Sequence, residues 1–196
     1  MSHLPHKISQ LKTEELLNHV TIRGLRKANI RNLESLIATV QHLSEGAEVQ
    51  LFDADRIASR RHLEFAALNA LKAFQGDYNV SKSIAIEALR FASAQMQIGK
   101  AFKIVGLTSQ TKNLAVLIIS GDKKDTEKTI ATVQRLIGGT PDDGVLEIDS
   151  EKKLKSLIDL FKISPQALKA QARGPDMREA VVNLIVEGMA LLATGR

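Results

Sequence analysis

The sequence of 196 residues contains no cysteine and no tryptophan, and aromatic residues make up only 4% of it. Without cysteine the chain can form no disulfide and has no thiol for catalysis. The scarcity of aromatic rings limits how many nucleic-acid bases could stack on the protein. There is no apolar run long enough to cross a membrane, and the first residues lack the compact apolar segment of a secretory signal. These absences predict a cytoplasmic protein without a membrane partner.

The remaining composition predicts one domain that mixes strands and helices. Apolar residues make up 44% of the chain and charged residues 25%, which is sufficient for a single core. We expect a single mixed α/β (α+β) domain over residues 1–196, with a small four-stranded mixed sheet and about eight helices. Residues 1–17 are polar and weakly periodic, so we expect a loosely ordered arm there. The predicted strands are Val20–Ile22, Val49–Phe52, Leu114–Ile119 and Val145–Ile148.

Basic residues are unevenly distributed along a chain whose net charge is +5. A mild basic excess suits a polyanionic partner such as nucleic acid, although many cytoplasmic proteins are equally basic. Residues 88–121 contain no acidic residue, but they contain Arg90, Lys100, Lys103 and Lys112. Residues 17–32 are also free of acidic residues, and they contain Arg23, Arg26, Lys27 and Arg31.

Two groups of polar side chains are candidates for contact with RNA. Arg60, Arg61 and His62 cluster at the start of a long predicted helix. Basic groups near Gln95 and Gln97 could hold the phosphates and base edges of a single strand. The residues alone favour a simpler interpretation, in which both groups are solvated faces of a helical unit that carries the core.

Candidate catalytic groups are few. Asp53 and Asp55 follow a predicted strand, where α/β enzymes often place carboxylates, but capping of the next helix explains them at least as well. His62 and Glu64 would point to different faces of one helix. The five histidines are scattered, and there is no metal-binding, phosphate-loop or nucleophile-elbow motif. We predict no catalysis, no cofactor and no metal. The alternative is a small-molecule-binding or hydrolytic domain that uses Asp53 and Asp55.

The last predicted helix, residues 176–194, has an apolar side wider than one packing contact requires. Val182 and Val186 extend the stripe that already includes Met189 and Leu192. Such a stripe is typical of a helix that packs on the core. Its width also allows part of it to contact a partner protein.

One part of the chain resembles a known family. The segments FDAD and RRHLEFAALNALKAF (residues 52–55 and 60–74), followed by NVSKSIAIEALRFASAQMQIGKAFKIVGL (residues 79–107), resemble the TPRKB family. This family is the small subunit of the KEOPS complex that binds the PRPK-type kinase subunit. Archaeal members tend to read Ala-Ser-Gly-x-Arg-Gln-Ile after the middle helix. Here Ala94 replaces the glycine and Met96 the arginine, which puts in doubt any role of that loop in anion contact.

The resemblance implies a function that the residue patterns do not specify. It implies a non-catalytic subunit that binds the kinase and captures the single-stranded 3′ CCA end of tRNA, for threonylcarbamoylation of the adenosine beside the anticodon. The residues that we predict for tRNA are Arg60, Arg61, His62, Arg90, Gln95, Gln97 and Lys100. Those that we predict for the kinase are Val182, Val186, Met189 and Leu192.

Overall fold

A computed structural model describes residues 17–41 and 47–194 of the chain. The predicted arm therefore lies, except for residue 17, outside the described residues. The described part forms one four-stranded sheet with helices on both faces, as the sequence predicts. The strands are β1 (Val20–Arg26), β2 (Ala47–Asp53), β3 (Leu114–Ser120) and β4 (Thr140–Pro141).

The strand order is β2-β3-β1-β4, and every pair is antiparallel. The expectation of a mixed sheet is corrected here. Strand direction does not follow from the order of elements, because helical connections can return the chain to either end of the sheet. The apolar run of β3 occupies an inner position and is buried along its whole length, as its branched residues predict.

The fourth strand does not lie where the sequence predicts it. Val145 and Leu146 are buried in a short 3₁₀ helix, Asp143–Leu146, and β4 comes before them. Alternating apolar residues can bury themselves from such a turn as well as from a strand. The turn packs so closely on β1 that a Cβ on Gly24 would lie 2.3 Å from the Asp142 carbonyl oxygen, so this position requires glycine.

Eight α-helices complete the described part of the chain, in agreement with the predicted number. Side-chain oxygens of the preceding residues cap several of them, including Ser59 before the helix Arg60–Gln75 and Ser164 before the helix Pro165–Gln171. No described helix is long and apolar enough to cross a membrane. The helices are α1 (Leu33–Gln41), α2 (Arg60–Gln75), α3 (Ile84–Ala92), α4 (Ile98–Val105), α5 (Lys123–Ile137), α6 (Glu151–Leu160), α7 (Pro165–Gln171) and α8 (Arg178–Ala193).

The alternating side chains of β3 divide the core into two layers. Ala115, Leu117 and Ile119 pack with α2, α3 and α4, and also with Met189 of α8. Val116 and its neighbours on the other face pack with α1 and α5. A third cluster joins α6, α7 and α8 beside the first layer. Ala66, Ala67 and Ala70 of α2 are fully buried, and their small side chains let neighbouring helices approach closely.

Candidate nucleic-acid interface

The start of α2 presents Arg60 and Arg61, but other parts of the chain already bind both side chains. The Arg60 guanidinium donates to Asp143 Oδ2 at 2.7 Å and to the Ile22 carbonyl oxygen at 3.1 Å. The Arg61 guanidinium donates to Asn183 Oδ1 on α8. These contacts hold the start of α2 against β1, against the turn after β4, and against α8. Asp143 thereby forms an ion pair with Arg60.

His62 lies inside the protein, so the expectation that it belongs to an exposed RNA-binding surface is wrong. Its Nδ1 accepts a hydrogen bond from the Ala58 N–H (3.2 Å), and its Nε2 donates to the Ala92 carbonyl oxygen at 2.7 Å. The tautomer is assigned from this pair of contacts. Burial lowers the pKa of His62 to about 4. The ring is thus a neutral bridge between the start of α2 and the end of α3.

Arg90 is also buried, with 3% of its surface exposed, and its placement on the surface is wrong for the same reason. Its guanidinium binds Glu87 Oε1 through Nε (2.9 Å) and Nη2 (2.5 Å), and it lies over the Phe91 ring. Glu87 completes its own bonding by accepting from the Ser81 N–H. The signal was present in the sequence, because residues three apart on a helix can pair. Because the acid-free segment begins at residue 88, that segment alone leaves out Glu87, the partner of Arg90.

The remaining predicted groups lie around the bend between α3 and α4, as the sequence indicates. Ala94 adopts a left-handed conformation there, with φ of 50°. The bend lies beside α8, since a Cβ on Gly188 would be 3.6 Å from the Ala94 methyl group. Gln95 and Lys100 line one open cleft of about 460 Å³, which we call the bend cleft. Gln97 is exposed at the start of α4 and does not line it.

The bend cleft also contains Lys103 of α4, which the sequence places in the acid-free segment with Lys100. Phe161 and Lys162, which the sequence did not indicate, follow the end of α6 and line the other side. All three lysines of the cleft are exposed, and none has a carboxylate partner among residues 17–41 and 47–194. The remaining lining residues are Ser93, Ala94, Ile104 and Leu160. No local pattern relates α6 to the bend, so only the folded chain brings these groups together.

This arrangement suits a single-stranded polyanion. Three ammonium groups can contact successive phosphates, and Gln95 offers an amide for a base edge. The partly exposed Phe161 ring offers a surface on which one base can stack. The same ring makes a T-shaped contact with the His62 imidazole, 5.7 Å between centroids, which holds the ring in the wall of the cleft.

The apolar stripe of α8 mostly faces inward. Val182 and Met189, which we predict from the sequence for the kinase interface, are buried in the described part of the chain. Val186 and Leu192 are partly buried against the core. The stripe is wide because one side of α8 contacts two apolar clusters, at Val182 and at Met189. Leu191, which the sequence did not single out, is exposed to 50%.

The two aspartates after β2 have structural partners. Asp53 caps the 3₁₀ helix Ala54–Arg56 and accepts from Thr111 Oγ1 at 3.0 Å, while burial raises the pKa of its carboxyl group. Asp55 is exposed and accepts from Asn113 Nδ2. Asp53 is thus a cap, but of this 3₁₀ helix, whereas Ser59 caps the long helix α2. Among the described residues, no three metal-binding side chains come together, there or elsewhere.

Comparison with known proteins relates nearly the whole described part of the chain to one family. The model of the family described as "Kinase binding protein CGI-121" matches residues 28–193. The chain is also 34% identical, over 142 residues, to the "Regulatory protein Cgi121" of Methanocaldococcus jannaschii. That match covers 72% of this chain and 83% of the relative. The resemblance seen in the sequence is thereby confirmed, and the chain belongs to the CGI-121 family of kinase binding proteins.

Proposed function

We propose that this protein is a non-catalytic KEOPS subunit that binds the PRPK-type kinase subunit and recruits tRNA by its 3′ CCA end. The modification that it supports is threonylcarbamoylation of the adenosine beside the anticodon, carried out by another subunit. Membership of a kinase-binding family supports the first role. The observation that carries the second is the bend cleft, where three exposed lysines lie together without a described carboxylate partner.

The argument for RNA rests on the availability of charge. A lysine that is already paired with a carboxylate gains little from a phosphate, because one ion pair replaces another. No such partner exists among the described residues for Lys100, Lys103 or Lys162. A phosphate that binds there would release counterions without breaking an existing ion pair, so the whole gain would favour binding. Gln95 and Phe161 add the polar edge and the ring that unstacked bases require. A flexible CCA end, unlike a duplex, can enter so small a cleft.

Neutralising two of these lysines should weaken tRNA binding. For Lys100→Gln/Lys103→Gln we expect the affinity for intact tRNA to fall about tenfold or more at low salt. The slope of log K against log salt should fall by about 0.7 for each lost contact. Both are measured by fluorescence anisotropy at several salt concentrations, with intact tRNA and with the same tRNA lacking CCA.

The matched control is Lys124→Gln/Lys128→Gln, which removes two exposed lysines from α5 on the other face of the sheet. This variant should bind intact tRNA nearly as the wild type does. An equal loss in the two double variants would mean that binding depends on net charge and would contradict the bend cleft as the site. Equal affinity of the wild type for intact and trimmed tRNA would contradict recognition of the CCA end.

For the kinase we propose the outer side of α8. Leu191 is half exposed at its C-terminal end, and the partly buried Val186 and Leu192 lie on the same helix. A large exposed apolar side chain on a helix whose other apolar residues are partly exposed offers an anchor for a partner protein. Val182 and Met189 would act only by supporting this surface from inside.

A charge at Leu191 tests the kinase surface. Leu191→Glu should weaken binding of the purified PRPK-type kinase by at least about tenfold, because a carboxylate would be buried in an apolar contact. Leu136→Glu on α5 is the control, since Leu136 is exposed to 45% but lies on the other side of the sheet. Isothermal titration with both variants measures the effect. Unchanged kinase affinity in Leu191→Glu would place the interface elsewhere.

A further inference from the structure

A second cleft, of about 440 Å³, lies on the face of the sheet that α1 and α5 cover, away from the bend cleft. One wall is the start of α1 with the residues before it, and the other is the end of α5. The two walls are joined by a hydrogen bond from the Asn29 N–H to the Ile137 carbonyl oxygen, 3.0 Å long. Leu36 and Ile137 are buried beneath it. The cleft is therefore part of the packed fold.

Two arginines line this cleft, Arg31 from before α1 and Arg135 from the last turn of α5. We call it the arginine cleft. Both side chains are exposed, and neither makes an ion pair or hydrogen bond with any residue in the described ranges. No acidic residue lines the cleft.

Arg31 differs in this respect from its neighbours in the acid-free segment 17–32. Arg26 binds Asp142 at 2.5 Å, and Arg23 lies 3.9 Å from Asp143. The turn after β4 thus supplies carboxylate partners to the arginines of β1, whereas Arg31 has no described partner. Arg31 lines the cleft together with Arg135 of α5, whereas Arg23 and Arg26 do not line it.

The other lining groups are hydrogen-bonding side chains and a small apolar wall. Asn29, Asn32 and Ser35 offer amides and a hydroxyl. Asn32 Oδ1 accepts from the Ser35 N–H, which leaves the Asn32 amide hydrogens for a ligand. Ile30 and the exposed Leu136 supply the apolar surface. A ligand that matches this lining carries an anionic group attached to a small, partly apolar body.

We propose that the arginine cleft binds the phosphate group of an organic phosphate, with Arg31 and Arg135 as its cationic ligands. A guanidinium presents parallel N–H groups that match two phosphate oxygens, which gives such a pair both strength and orientation. The volume of the cleft is that of a small-molecule site. A free nucleotide and the backbone of an RNA strand share this chemistry, and binding experiments can distinguish them.

The test is titration of the full chain with adenosine monophosphate, followed by competition with a single-stranded RNA that lacks a 3′ CCA and terminal phosphates. The proteins carry Lys100→Gln/Lys103→Gln, so that RNA held by the bend cleft does not contribute. We expect saturable, salt-sensitive binding of the nucleotide. Adding Arg31→Gln/Arg135→Gln should weaken it about tenfold or more.

Lys169→Gln/Arg173→Gln is the matched control, because it removes two exposed positive charges around the end of α7. It should leave nucleotide binding unchanged. Displacement of the nucleotide by RNA would identify the RNA backbone as a source of the phosphate, and no displacement would identify free nucleotides. Absence of saturable binding, or an equal loss in the control, would overturn the proposal. Thermal melts of both double variants confirm that each is folded.

Discussion

The start of α2 and the bend cleft carry similar basic residues, yet the fold treats them in opposite ways. At α2, Arg60 is bound by Asp143 and His62 is enclosed, and the exposed Arg61 donates to the neutral Asn183. At the bend, Lys100 and Lys103 remain exposed without a described carboxylate partner. The difference teaches that a basic cluster becomes a binding surface only if no distant acidic residue folds against it. Asp142 and Asp143 are the acidic residues that pair with the arginines of β1 and with Arg60 of α2.

The largest expected effect is the loss of stability when the buried guanidinium of Arg90 is removed. Arg90→Met should destabilise the protein by about 3–5 kcal/mol, because the Glu87 carboxylate would stay buried without its partner. Urea denaturation, with the m-value checked for two-state behaviour, measures this loss.

The double variant Glu87→Gln/Arg90→Met is the control for Arg90. It removes both charges and keeps an oxygen for the Ser81 N–H, so it should recover much of the lost stability. If the single variant were as stable as the wild type, Arg90 would not have the structural role that its contacts indicate. It would then return to the candidates for RNA contact.

His62 should make the stability depend on pH. Its pKa is about 4 in the folded protein and about 6.5 in the unfolded chain, so the unfolded chain binds more protons between these values. The contribution of His62 therefore lowers the stability by about 3 kcal/mol as the pH decreases from about 6.5 to about 4, and this contribution does not change further below that range. Denaturation curves at several pH values measure this dependence.

His62→Gln is the matching variant, since a glutamine amide can donate to the Ala92 carbonyl oxygen and accept from the Ala58 N–H. It should lose much of the pH dependence over that range while remaining folded. An unchanged slope in the variant would assign the dependence to other groups. It would also weaken the contrast between the enclosed imidazole and the exposed lysines.

The smallest effect concerns the bend itself. Ala94 has a positive φ, which a residue with a Cβ rarely adopts, so Ala94→Gly should stabilise the protein by about 1 kcal/mol. The melting temperature should rise by about 2–4 °C. Asp77→Gly, at φ of 55°, is the comparison and should gain less, because aspartate tolerates this conformation better. A lower melting temperature for Ala94→Gly would show that the Ala94 methyl contact beside Gly188 outweighs the strain.

Local patterns were sufficient for much of the fold. The strand β3 and the long helix α2 both depend on residues close in sequence, and the structure confirms both predictions. The candidate site was less predictable. Gln95 and Lys100 were found because they share one bend, whereas Lys162 lies some 60 residues further along the chain and carries no local signal.

The sequence by itself determined the composition of the core, the positions of most helices and the family of the protein. These follow from apolar periodicity, capping residues and a long similar segment, all of which are local or linear properties. Tertiary structure decided the antiparallel pairing, the 3₁₀ turn at Asp143–Leu146, and which charges remain available. The physical reason is that a carboxylate such as Asp143 can neutralise Arg60 only when folding brings them within bonding distance, and spacing in the chain does not encode that distance.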